Sequence, residues 1–253
     1  MNEDLKRQYR DRDRVVRAMA SDGTFRAAAI RTSATARQAQ ERHRADPGGS
    51  LILGRALTAA GLLASFLKGE ERIVIDASGD GIVKSVYAEA LQVGEIVGYV
   101  RMNESPTPHA TSALGRGMLR VSRVLYNRAE PVTGIVEMER GDITSDIGHY
   151  LTQSEQVPSV VLLDVDFDDE YRIIHAGGAM IQALPGAPAE KIFAAYDNVD
   201  MLPRITTLYA EGQTPEDVLR SLVPGDIEIV SQTPVDFFCR CSADRFKAMM
   251  LTL

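Results

Sequence analysis

The stretch Ser50-Leu51-Ile52-Leu53-Gly54-Arg55-Ala56-Leu57-Thr58-Ala59-Ala60-Gly61-Leu62-Leu63-Ala64-Ser65-Phe66-Leu67-Lys68 is the most apolar in the chain. Apolar residues fall on every side of a helix drawn through it, so that helix has almost no polar face to give to water. Ser50 is placed to cap it and Gly69 to stop it. Its length approaches a membrane span, but Arg55 stands inside it and small residues line it. It is expected as a central buried helix with sheet packed around it.

The flanks supply the sheet. Upstream, Val15–Ala20 and Phe25–Ile30 read as strands joined by Ser21-Asp22-Gly23-Thr24, an Asp-Gly hairpin signal. Thr32 or Ser33 then caps a helix running to about His43, and Pro47-Gly48-Gly49 breaks it. Downstream, Ile73–Ser78 and Ile82–Glu89 flank Gly79-Asp80-Gly81, a turn that suits a hairpin better than a phosphate cradle. Further strands are expected over Glu95–Arg101, Met118–Tyr126, Val132–Glu139, Ser159–Asp166 and Tyr171–Leu184, the last interrupted by Gly177-Gly178. Between them, Asp142–Leu151 reads as a helix with acids near its start, which suits the helix dipole.

After Leu184 the pattern changes. Ile192, Ala195, Tyr196 and Val199 recur at helical spacing, and Ile205, Leu208 and Tyr209 continue beyond Pro203. Thr214-Pro215-Glu216-Asp217 is a helix start with cap, proline and first-turn acids, and that helix ends at Pro224-Gly225. The expected fold class is α+β: a mixed or antiparallel sheet core over residues 1–184 around the apolar helix, a helical linker arm over 185–233, and a small module over 234–253. The seam falls at Pro185-Gly186.

The apolar fraction of 45% and charged fraction of 25% are those of an ordinary globular protein. A formal charge of −7 argues against a nucleic-acid surface. The start, Met1-Asn2-Glu3-Asp4-Leu5-Lys6, lacks a signal-peptide core, so a cytoplasmic protein with no membrane partner is expected.

Two cysteines are present, and they stand one residue apart in Phe237-Phe238-Cys239-Arg240-Cys241-Ser242. Three readings stay open on spacing alone. Cys239 and Cys241 can be ordinary small thiols, one buried beside the phenylalanines. They can be two of the four thiolates of a zinc site, in which case two more ligands come from a further C-terminal segment or a partner chain. They can also be a reversible dithiol of an oxidoreductase, although Cys-X-X-Cys is the commoner form. Ser145, Asp146 and His149 share one helical turn, a chance grouping rather than a hydrolase triad.

The order of several short motifs resembles one family, the redox-regulated 33 kDa chaperonin, or heat shock protein 33. The resemblance covers nearly the whole chain. It rests on Leu53-Gly54-Arg55-Ala56-Leu57-Thr58-Ala59, Leu67-Lys68-Gly69, Gly79-Asp80-Gly81 and Gly98-Tyr99-Val100. It continues with Ser154-Glu155-Gln156-Val157-Pro158-Ser159, Ala176-Gly177-Gly178, Gln182-Ala183-Leu184-Pro185-Gly186, Pro234-Val235, Phe238 and Cys239-Arg240-Cys241-Ser242.

The resemblance implies an ATP-independent holdase that binds unfolding client proteins under oxidative stress, and no enzyme. It implies that Cys239 and Cys241 are redox-active and are two of four zinc ligands, the other two belonging to a later Cys-X-X-Cys that this chain lacks. By the family pattern the chain stops in mid-helix at Met249-Met250-Leu251-Thr252-Leu253, as a truncated form or fragment would. Zn2+ is therefore expected in the parent protein and absent or partial here. The implied client-binding candidates lie on the arm: Ile192, Phe193, Tyr196, Leu208 and Leu219. A homodimer, with arms exchanged between copies, is expected.

Overall fold

Gly61 marks the middle of the fold: a methyl group added there would stand 2.6 Å from Ile30 Cδ1 on one side and 2.8 Å from Ile96 Cδ1 on the other. Those two isoleucines belong to different sheets, and the helix carrying Gly61 is pressed between them. The structure is a computed structural model that describes residues 10–104 and 112–239.

The chain opens with β1 (Arg14–Ala20) and β2 (Phe25–Arg31), then α1 (Ser33–His43) and α2 (Pro47–Ala64). A meander follows: β3 (Arg72–Gly79), β4 (Val83–Leu91), β5 (Glu95–Met102), β6 (Gly117–Val124) and β7 (Val132–Glu137). Next come α3 (Ile143–Gln153), β8 (Ser159–Phe167) and β9 (Ile173–Ala183). The last part holds α4 (Ala189–Met201), α5 (Ile205–Ala210), α6 (Pro215–Leu222), β10 (Ile227–Pro234) and β11 (Asp236–Phe237).

The fold is α+β, as the pattern implies, with two sheets rather than one. A five-stranded antiparallel sheet runs β10-β1-β2-β9-β8, and a six-stranded sheet runs β11-β5-β4-β3-β6-β7. The second is mixed because β11 joins β5 in parallel. Helix α2 packs on β3, β4 and β5 of one sheet and on β2, β8 and β9 of the other. Its Ile52, Leu53, Ala56, Leu57, Ala60 and Leu62 are buried in the main core. Each fully buried aliphatic side chain there contributes about 1.5–3 kcal/mol. Among the described residues no helix is long and apolar enough to cross a membrane.

The start of α2 differs from expectation. Its cap is Asp46 rather than Ser50: the Asp46 carboxylate accepts from Gly49 N at 2.6 Å, and Pro47 opens the first turn. Pro47-Gly48-Gly49 thus ends nothing inside α2; it begins it, because a proline at the first helical position lacks only an N–H that would go unbonded anyway. Ser50 is buried, and its hydroxyl donates to Ala45 O. The hairpin at Gly79-Asp80-Gly81 forms, with Ser78 opposite Ser85.

The arm covers the other face of the five-stranded sheet. A second core gathers Val16, Phe25 and Ile181 from the sheet with Ile205, Leu208, Tyr209, Val218, Leu219 and Leu222 from α5 and α6. Helix α6 starts with a full capping box between Thr214 and Asp217. Residues 227–233, expected as the end of the helical arm, instead belong to strand β10 (Ile227–Pro234). Its partner β1 lies at the far end of the sequence, beyond the reach of local pattern.

Candidate functional site

The cysteine segment leaves the core along two sheet edges in succession. Strand β10 pairs antiparallel with β1, from Ile227 opposite Ala20 to Pro234 opposite Arg14, with a bulge at Val230. The chain then crosses to the other sheet: Val235 N donates to Asp13 O (3.1 Å), Asp236 N to Gly94 O (3.0 Å) and Phe238 N to Ile96 O (2.8 Å). Phe237 is 6% exposed. Its ring meets His43 edge-on at 6.4 Å, and the Arg42 guanidinium lies 5.7 Å over it. Burial holds His43 below the usual imidazole value, opposed by a hydrogen bond with the Gly98 backbone.

Cys239 follows directly, half-buried against the main core. Cys241 lies outside the described residues. Cys239 thus packs against the same core that takes up Phe237, two residues beyond the end of the two-residue strand β11. Among the described residues, no group of three or more His, Cys, Asp and Glu side chains is gathered as a metal site.

The arm is held unevenly. In α5, Tyr209 Oη donates to Ile30 O at 2.9 Å, and the Arg31 guanidinium lies 5.0 Å over the Tyr209 ring. Full burial drives the Tyr209 phenol far up, so it donates at any working pH. At the start of α5, Ile205 N donates to Asp164 Oδ2 at 2.8 Å. In α6, Glu216 forms a buried ion pair with Arg14 at 2.8 Å. Helix α4, by contrast, buries Ala195 alone. It is fastened by a Lys191–Asp22 ion pair and by Asn198 Nδ2 donating to Leu222 O.

The client-binding candidates divide accordingly. Phe193 and Tyr196 stand 67% and 46% exposed on α4, Met201 is exposed at its C-terminal end, and Ile192 is half-buried. Leu208 and Leu219 are 4% and 0% exposed, deep in the second core.

A family model described as Hsp33 protein matches residues 13–253. The chain belongs to the Hsp33 family. The 33 kDa chaperonin of Desulforamulus reducens is 37% identical over 247 residues, covering 94% of this chain and 84% of that protein. The 33 kDa chaperonin of Bacillus subtilis is 35% identical over 249 residues, covering 95% and 85%. The crystal structure of the Thermotoga maritima 33 kDa chaperonin superposes with a TM-score of 0.84 at 28% identity, covering 96% of this chain and 85% of that one. Chaperone function follows from that membership, and the dithiol oxidoreductase alternative gains no support from these relatives.

The Hsp33 fold also disposes of the hydrolase grouping. Asp146 is fully buried and accepts from three backbone amides, those of Glu139, Arg140 and Asp142, so it is a structural clasp. His149 Nδ1 faces Glu139 at 3.4 Å instead. Sequence reading missed the pieces that fasten the Hsp33 arm: Tyr209 as a donor, Arg14 with Glu216, and Asp164. One signal was present. Gly177 interrupts an otherwise strong strand, and a methyl group there would fall 2.4 Å from the Tyr209 ring. Glycine inside a strand marks such a close approach.

Proposed function

We propose that this Hsp33 chain is a redox-regulated, ATP-independent holdase of the cytoplasm, switched at Cys239 and Cys241. The observation that carries the reading is continuity: one segment runs from the last arm helix through β10 and β11 straight into Cys239. A change of state at the thiols pulls on β11, which has two residues, and next on β10, an edge strand with Ile229 and Val230 exposed. Each backbone hydrogen bond released there is worth about 1 kcal/mol. Beyond β10 lies the arm, whose weakest member, α4, already presents Phe193, Tyr196 and Met201. Loosening it adds Ile192 and the sheet residues beneath, an apolar surface of the kind unfolding clients seek.

Peroxide is the oxidant in this reading. One thiolate attacks a peroxide oxygen to give a sulfenic acid and hydroxide; the other attacks the sulfenic sulfur and displaces a second hydroxide, leaving a disulfide, and the two hydroxides take two protons from solvent to become water. Cys239 and Cys241 would also hold a zinc ion, and as soft thiolates they suit it, although they make half of a closed tetrahedral set. When bound, zinc lends a small module folding free energy, about 10–16 kcal/mol in zinc-finger peptides. A homodimer with exchanged arms fits the exposed turn at Pro185-Gly186, where the chain could redirect.

The test is light scattering of a denatured client diluted into buffer with the chain, without ATP, before and after peroxide. Suppression that appears or strengthens after peroxide supports the switch. No suppression in either state at several-fold excess, or catalytic turnover of a disulfide substrate, overturns it.

A further inference from the structure

The guanidinium of Arg26 feels those of Arg17 and Arg123 and the carboxylate of Glu155, and it shares the Phe66 ring with Arg17 just beyond the C-terminal end of α2. That carboxylate is taken: it pairs with Arg123 and accepts from Tyr150 Oη at 2.8 Å. Arg17 is also satisfied, donating to Ser65 O at 2.7 Å and Ser231 Oγ at 3.0 Å. Arg26 is different. Its Nε donates to Gln182 Oε1 at 2.8 Å, Gln182 in turn donates to Ser159 Oγ at 2.9 Å, and the guanidinium lies 4.8 Å over the Phe66 ring. The group is thus fixed in place, and among the described residues its two Nη atoms have no hydrogen-bond partner.

Arg26 lines a cavity of about 470 Å³ between the loop before β8, the turn after β9 and the first turns of α4. The other walls are mostly apolar, including Val157, Pro158, Leu184 and Ile192, with the Gln156 amide as the second polar side chain. The volume is that of an ordinary small-molecule site. A guanidinium held by its Nε and a stacked ring offers its Nη edge to a carboxylate as a paired donor. The mostly apolar walls beside the guanidinium suit a hydrocarbon tail, which a phosphate does not carry.

We propose that this cavity binds an aliphatic monocarboxylate, with the carboxylate on Arg26 and the tail against Val157, Pro158, Leu184 and Ile192. The same chemistry reaches the protein as a fatty acid or as the free C-terminus of a short apolar peptide.

The experiment is calorimetric titration of the full chain with octanoate, with 1-octanol and with N-acetyl-dileucine. The expected result is saturable one-site binding of octanoate, at least ten-fold weaker for octanol. Binding should fall at least ten-fold in Arg26→Gln and vanish in Ala187→Phe, which fills the cavity. Saturable binding of either acid supports the site, and their order identifies the source. No saturable heat from either acid overturns it, as does octanol matching octanoate on the unmodified chain, a comparison that needs no variant to fold. Heat of binding is read without a client, so it stands apart from the chaperone assay.

Discussion

The Tyr209 hydroxyl reaches 2.9 Å to the carbonyl of Ile30, tying the second helix of the arm to the middle strand of the five-stranded sheet. Tyr209→Phe keeps the ring and removes the bond. We expect a loss of about 1 kcal/mol in urea unfolding, and chaperone activity that needs less oxidant to appear. Unchanged stability would mean that the bond is replaced by water.

Gly177 gives the Tyr209 ring its place: an added methyl would stand 2.4 Å from Tyr209 Cε2 and 2.5 Å from Ile30 O. Gly177→Ala should therefore cost about 1–3 kcal/mol, the usual range for overpacking. Because the methyl presses on both the Tyr209 ring and the β2 backbone that holds its hydroxyl, limited proteolysis should cut the arm of this variant faster than the core.

Arg14 and Glu216 form an ion pair that is largely out of water. Glu216→Leu alone removes the carboxylate from a buried guanidinium that keeps its bonds to Arg10 O and Arg12 O, and should cost about 3–5 kcal/mol, while Arg14→Met with Glu216→Leu should recover most of it. A double-mutant cycle by chemical denaturation measures both. Equal losses for single and double variants would place the energy in packing rather than charge.

His175 on β9 is held below its ordinary value of 6.5 by burial, with Arg31 adding to the shift. The folded protein then binds fewer protons at this site than the unfolded chain. Its contribution to stability is complete above about pH 6.5 and is lost as pH falls through the depressed folded value. His175→Gln should flatten the stability profile below about pH 6.5, read by urea titration at each pH.

Cys239→Ser and Cys241→Ser should each abolish the response to peroxide in the scattering assay while leaving the far-ultraviolet dichroism unchanged. A response that survives both changes would move the switch away from the thiols.

The sequence makes the central helix legible because nothing else in the chain is apolar on all sides, but its first turn hides behind Pro47-Gly48-Gly49. Gly49 is small for a tertiary reason: a methyl there would meet Met102 Sδ at 3.1 Å and Val100 Cγ1 at 3.3 Å. Strand β10 is illegible for another reason. Its bulge at Val230 breaks the alternation, and its exposed outer side leaves little hydrophobic pattern. The thiol end of the site can be read from the rarity of cysteine. The arm's fastening cannot, because Arg14, Asp164 and Glu216 look like surface charges until the fold buries or pairs them. For the same reason helical spacing groups Leu208 and Leu219 with Phe193 and Tyr196, though only the latter pair faces water.

Pairing β1 with β10 joins residues more than two hundred positions apart. On the ribosome the first strand emerges early, forms its hairpin with β2, and then waits with one edge of backbone unpaired until β10 appears. Long-range closure of this kind is slow and leaves an intermediate open to wrong partners. A nascent copy of this chaperone thus passes through a stage in which it resembles the molecules it protects.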